Sequence, residues 1–271
     1  MKTLRSFVAI VMMMVTFHAS AQCTFNNTAF KSGEQLSYNL YFNWKFVWIK
    51  AGTASMNTVL NKFAGQQAYK ASLITRTNQK LDRYFIMRDT LLAQTSLKLE
   101  PLYYRKGARE GKRYYVDEVF YSYPDYNCHV KQHRIKANGT QQWQQHTYDQ
   151  CVYDMLNIFL RARSFNPKGW KKGHIVGFPI VDGNGKTPAQ LNFRGIVNVK
   201  ADDGNKYRCL QLSYMEKEEK TGKYKRIVDF FVTDDDNHVP VRLDMFLRFG
   251  SAKAYLVSSK GLRSQVNSLV K

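Results

Sequence analysis

The residues that could do chemistry are scattered along this chain. His129 and His133 stand four apart beside Cys128. On a helix that spacing would aim two imidazoles at one metal ion. The surrounding sequence is strand-like, and in a strand the same spacing keeps both rings on one face but spreads them over about 13 Å. They read as surface histidines. Asp234, Asp235, Asp236 and Asn237 make an acidic run, yet a calcium loop needs alternate ligands, a central glycine and a distal glutamate. Asp182-Gly183-Asn184-Gly185-Lys186 puts a lysine where a third ligand belongs. Both runs read as turns. The chain has no G-x-S-x-G elbow and no glycine-rich phosphate loop. A glycosidase carboxylate pair is assembled in space, so Glu34, Glu118, Asp154 and Asp229 say nothing as catalysts; Glu34 reads as a pin at the start of a strand. No catalytic residue, cofactor or metal is expected.

Two other sets of residues are more suggestive. Trp44, Phe46 and Trp48 fall at every second position and should project from one strand face. They are either core or the wall of a groove for an apolar ligand, since such sites are concave and aromatic-rich. The cysteines Cys23, Cys128, Cys151 and Cys209 fit no zinc spacing. An even count permits two disulfides in an oxidising compartment. Cys128 and Cys151 flank a hairpin signal at Asn138-Gly139, and antiparallel strands would bring them together. That expectation leaves Cys23 and Cys209 as a second pair.

The elements that must carry these residues are mostly strands. Leu36, Tyr38, Leu40, Phe42, Trp44, Phe46 and Trp48 alternate with more polar neighbours, and so do Val239, Val241, Leu243, Met245, Leu247 and Phe249. Further strands are expected at 67–76, 113–122, 127–136, 190–200, 206–215 and 224–233. Asn138-Gly139, Asp203-Gly204, Thr221-Gly222 and 234–237 supply turns between them. Short turns imply antiparallel pairing. One segment breaks the rhythm: Val152, Met155, Leu156, Phe159 and Leu160 recur at helical spacing, and Asn166-Pro167 closes the run. The fold class is mainly β. A single domain, 22–271, is expected, built on a large curved antiparallel sheet with one packed helix at about 149–164.

Residues 1–21 carry the marks of a secretory signal. Lys2 and Arg5 precede an apolar run from Phe7 to Phe17, and Ala19-Ser20-Ala21 gives the small-x-small triplet for cleavage. The run is too short to span a bilayer, and no later segment could do so as a helix. Gln22 before Cys23 is too large for a lipidation site. The net charge of +20 would suggest nucleic acid in a cytosolic protein. Export argues against that partner and toward anionic or amphiphilic envelope components instead. The densest basic cluster is Arg105, Lys106, Arg109, Lys112 and Arg113. Apolar content of 44% and charged content of 23% fit a globular chain.

Several motifs, taken in order, resemble a known family. They are Phe30-Lys31-Ser32-Gly33-Glu34 running into Leu36-Ser37-Tyr38, then Gly52-Thr53-Ala54, then Cys151-Val152-Tyr153-Asp154-Met155-Leu156 with Arg161-Ala162-Arg163. Thr233 to Val241 and Phe249 to Ala254 complete the set. Together they resemble the exported bacterial family called domain of unknown function 3108, in its Bacteroidetes style. The resemblance implies an exported address and a fold type, not a reaction. By analogy of shape, the fold is also similar to periplasmic lipoprotein carriers, which lay a curved antiparallel sheet over helices. The leading expectation is a non-catalytic periplasmic binding or carrier protein of the envelope. An envelope glycan- or lipid-acting hydrolase and a structural interaction module are the alternatives.

Overall fold

The computed structural model describes residues 23–44, 47–247 and 250–270; the export segment 1–21 and Phe46 lie outside them. Fourteen strands form one sheet. The first eight are β1 (Glu34–Trp44), β2 (Val47–Phe63), β3 (Gln66–Thr77), β4 (Met87–Ser96), β5 (Pro101–Glu110), β6 (Arg113–Ser122), β7 (Cys128–Ile135) and β8 (Gln141–Tyr148). The last six are β9 (Ile175–Val181), β10 (Lys186–Lys200), β11 (Lys206–Lys217), β12 (Tyr224–Thr233), β13 (Pro240–Leu247) and β14 (Gly250–Lys260). Every ladder is antiparallel. Each strand pairs with its sequence neighbour except at β8 and β9, and β1 also pairs with β14. The meander is therefore joined through its own first and last strands, and its two edges, β8 and β9, are consecutive in sequence.

The chain between those edges forms a plug. A single-turn helix, α1 (Gln79–Asp82), lies elsewhere; α2 (Met155–Ala162) is the packed one. It is shorter than the expected 149–164. Asp154 caps it, accepting from the backbone N–H groups of Leu156 and Asn157 at 3.0 and 2.8 Å. Just before the cap the chain is extended, because Tyr153 bonds along the outer edge of β9: its N–H donates to Pro179 O and its carbonyl accepts from Val181. Beyond β9, the turn at 182–185 docks against β6 and β7. Gln132 Nε2 donates to Gly185 O at 2.9 Å, and Arg134 pairs with Asp117 and reaches Asp182. Gly183 is needed there: a Cβ would sit 2.3 Å from Asp117 Oδ1 and 2.7 Å from His133 O. The sheet is thus a strongly curved open roll, with α2 packed inside it against β4 and β5.

Register decides which side chains face inward. Leu36, Tyr38 and Leu40 of β1 share a face with Ala254 and Leu256 of β14. Leu243 and Met245 of β13 continue it, followed by Val228 and Phe230 of β12 and by Leu212 and Tyr214 of β11. This inner face holds the core. Among the described residues its fully buried ion pair is Arg163–Glu34, bidentate at 2.5 and 2.8 Å, with the guanidinium also donating to Asn237 O. Glu34 and Arg163 are 1% and 3% exposed, so Glu34 does pin the start of β1, to the end of α2.

Two expectations are corrected. The alternation from Leu36 to Trp48 is not one strand. The chain turns after Trp44, and Asn43 pairs with Trp48. A bulge at Ala51 then shifts the register between Tyr41–Lys50 and Leu40–Gly52. Trp48 therefore shares the outer face of Asn43 and Tyr41, not the inner face of Leu40. Gly52 follows the bulge because a Cβ there would lie 2.0 Å from Arg76 O. The cysteine pairing is also different: Cys23 bonds Cys151, with Cα atoms 5.3 Å apart, while Cys128 and Cys209 are free and buried. The β7–β8 ladder ends at Cys128–Tyr148. Cys151 lies beyond it, where the chain has left for β9. There the N-terminal segment crosses, held by Phe25 N–H on Lys98 O and Arg161 on Cys23 O. Cys209 sits on β11 opposite Thr233.

Candidate functional site

The inner face is not filled evenly. Along β9 to β12 the alternation places Phe178, Leu191, Leu210, Leu212, Tyr214, Val228, Phe230 and Val232 on one concave wall. Opposite lies α2. Its apolar stripe is split in use: Leu156 and Leu160 are buried in the core, whereas Met155, Ile158 and Phe159 face the wall. The loop after α2 closes one side with Phe165, Pro167 and Trp170. Trp170 is held by stacking on His174, ring centroids 4.7 Å apart, and by an edge contact with Phe193 at 6.0 Å. The loop is fixed to β10 where the N–H groups of Gly173 and Phe193 donate to Phe193 O and His174 O. Between these walls is a groove with a free volume of about 100 Å³.

Its surfaces are apolar. Arg163, His238 and Tyr214 are the charged or titratable residues among the described ones that touch it. Arg163 is spent on Glu34 and Asn237, and His238 Nδ1 lies against Arg163 O. The Tyr214 hydroxyl donates to Glu216 at 2.6 Å. Among the described residues, no carboxylate, thiol or aliphatic hydroxyl lines the groove. Met155 is 50% exposed, and Phe159, Ile227, Val228 and Phe230 are half-buried, so the groove opens to solvent. An arrangement of this kind can exclude water from an apolar chain.

Buried polar groups sit behind the groove. Asp154 accepts from Asn157 Nδ2 and from Tyr121 Oη, at 2.6 and 2.9 Å, besides the two helix N–H groups. Burial nevertheless pushes its carboxyl up to about 6, against the pull of those hydrogen bonds. Burial also raises the Cys128 thiol and pushes the Cys209 thiol up to about 12. Neither is poised as a nucleophile.

A family model described as a protein of unknown function, DUF3108, matches residues 37–257. The chain belongs to this family. No curated protein matches it in sequence. Among solved structures it is similar to a β-barrel-like protein of domain of unknown function DUF1849 from Brucella abortus. Identity there is 11%, over 86% of this chain and 99% of that one, with a TM-score of 0.53; the likeness is one of fold. A protein with a YmcC-like fold from Bacteroides fragilis is 10% identical over 88% of this chain and 99% of that one, with a TM-score of 0.34.

In this DUF3108 chain the residues singled out from sequence do not converge on the groove. Trp48 is 39% exposed on the outer face, with Lys253 Nζ 4.5 Å from its ring centroid. Trp44 ends β1, and Phe46 lies outside the described residues. The basic cluster divides between faces: Arg105 pairs with Glu118, while Lys106 turns the other way to Tyr115. His129 pairs with Asp125 at 2.6 Å, and His133 with Glu118 at 2.8 Å. Asp182 and Asp235 hold their own turns by accepting from N–H groups two residues on. Of the groove residues, the sequence marks Met155, Phe159 and Pro167 only as parts of a helix and its stop. Their signal was present as alternation at 206–215 and 224–233 and as a helix stripe wide enough to serve two surfaces.

Proposed function

We propose that this is an exported envelope protein that binds, and does not turn over, an amphiphile whose apolar tail lies in the groove between α2 and β9–β12. The observation that carries the reading is the groove itself: a solvent-open cleft whose walls are almost wholly apolar. Exposed apolar surface of this kind is costly unless a ligand covers it, at about 25 cal/mol per Å². Export is supported by the signal-like segment 1–21 and by the Cys23–Cys151 disulfide, a bond that persists in oxidising compartments. Periplasmic residence and cleavage after Ala21 belong to the same proposal. Among the described residues no helix is long and apolar enough to cross a membrane. The net charge of +20 favours an anionic head group near the surface.

Trp44, Phe46 and Trp48 are not needed by this reading. A hydrolase is disfavoured because no carboxylate is found among the described residues that line the groove. The reading of a structural interaction module keeps one observation in its favour: β8 is a sheet edge and is exposed along most of its length. The test is thermal unfolding with a titrated lysophospholipid. Binding to the folded state alone raises Tm with ligand concentration. The variant Leu212→Trp, which fills the groove, should keep the fold and lose that rise. An unchanged Tm for the native protein across the titration would leave the interaction module as the better account.

A further inference from the structure

On the opposite, outer face of the sheet, four aromatic rings form a diagonal strip. Phe63 stacks on Tyr103 with centroids 5.9 Å apart, Tyr103 meets Phe120 at 5.0 Å, and Phe120 meets Trp143 at 6.3 Å. Tyr103 and Phe120 are directly cross-strand. Trp143 is 49% exposed and Phe120 37%, an unusual cost on a face that needs no core. The strip is also held rigid. His133 lies flat against Trp143, with centroids 3.8 Å apart and planes 8° apart. Its ring nitrogens contact Glu118 at 2.8 Å and Gln141 at 3.1 Å. The Tyr103 hydroxyl donates to the other oxygen of Glu118. These bonds hold Tyr103 and Trp143 in place through one shared carboxylate.

We propose that this strip is a binding platform for a linear, weakly charged polysaccharide. The ring-to-ring steps are on the scale of successive pyranose units, whose C–H faces pack on aromatic faces. Its border carries donors and acceptors suited to hydroxyls in the amides of Gln141 and Gln145, both exposed on edge strand β8; the Lys131 ammonium lies over the Trp143 ring, 4.5 Å from its centroid, on a flexible stem that a stacking sugar would displace. The charge pattern chooses among polymers. A nucleic acid needs a track of free cations for its phosphates. Here a carboxylate, Glu118, sits in the middle of the strip, and Arg105 is turned onto it at 3.7 Å. Burial raises the Glu118 carboxyl, but the hydrogen bonds from Tyr103 and His133 outweigh that and leave it below the ordinary range. It stays charged at neutral pH and engages Arg105, so that guanidinium is not free for a phosphate. The platform lies across the sheet from the groove and does not depend on any ligand there.

The experiment is native affinity electrophoresis of the purified protein through gels containing soluble xylan, hydroxyethyl cellulose or glycol chitosan that has been re-acetylated, with an oligothymidylate and phosphatidylglycerol vesicles assayed in parallel. At least one neutral glycan should retard the native protein. Trp143→Ala with Phe120→Ser should weaken that retardation by about tenfold or more, the scale of a lost stacking contact. Trp143→Tyr should retain most of it, and circular dichroism should report an intact sheet in each variant. Retardation by none of the glycans, equal retardation of the Trp143→Ala and native proteins, or tighter binding to oligothymidylate or vesicles than to any glycan would each overturn the proposal.

Discussion

At the scale of single residues, two buried acids have opposite consequences. Glu34 and Arg163 neutralise each other in a dry site. Removing one charge strands the other, which costs about 3 to 5 kcal/mol. Glu34→Gln should therefore lower stability by that order in urea unfolding, and the pair Glu34→Gln with Arg163→Met should recover part of it. A double variant as unstable as the sum of the singles would deny the coupling. Asp154 is different, since burial raises its carboxyl from 3.8 to about 6. The protonated form is then the one the folded state prefers. Its contribution is fully present below the unfolded value of 3.8 and is lost as pH rises through about 6. Asparagine keeps the capping oxygen and does not ionise. Asp154→Asn should therefore gain stability relative to the native protein as pH climbs across that window. Stability curves that run parallel from pH 4 to 8 would refute the assignment.

Elements were legible in the sequence to the extent that one face was apolar and the other not. The strands around 113–122, 127–136 and 206–215 and the turns at Asn138-Gly139 and Asp203-Gly204 could be read from alternation and turn chemistry. The strands β4, β5 and β9 could not, and β8 only as the second arm of the hairpin at Asn138-Gly139. In β8 the sequence Gln-Gln-Trp-Gln-Gln-His has no apolar period, because an exposed edge has no buried face to record. The false strand through Trp48 arose because a turn and a bulge happened to preserve spacing while reversing the face. The disulfide failed for a related reason. Local hairpin geometry pointed to Cys128–Cys151, but the bond joins segments 128 residues apart, and nothing in local pattern carries such a contact. That long closure gives the bond weight. In the chain-entropy account a loop of this size is worth about 5 kcal/mol. Cys23→Ser should lower the unfolding free energy by about 2 to 5 kcal/mol and loosen the N-terminal segment that packs Phe25 on Phe165. Hydrogen exchange at 24–30 and in α2 should rise together; an increase in neither would show that the bond is dispensable.

For the whole molecule, an open roll closed by a helix separates two surfaces. A sheet joined through β1 and β14 has its open edges at β8 and β9, and α2, packed inside the roll against β4 and β5, is also one wall of the groove. The concave side buries apolar residues along much of its length, and between α2 and β9–β12 it leaves Ile227, Val228 and Phe230 only half-buried. That uncovered strip is the central claim of the account. Trp170, on the loop beside α2, is the natural reporter. Bromine on an acyl chain quenches indole fluorescence on close contact. We expect a fatty acid brominated midway along its chain to quench Trp170 saturably, with Trp48→Phe unaffected and Trp170→Phe silent. Quenching that persists undiminished in Trp170→Phe, or that is absent from the native protein at saturating fatty acid, would contradict a tail in the groove.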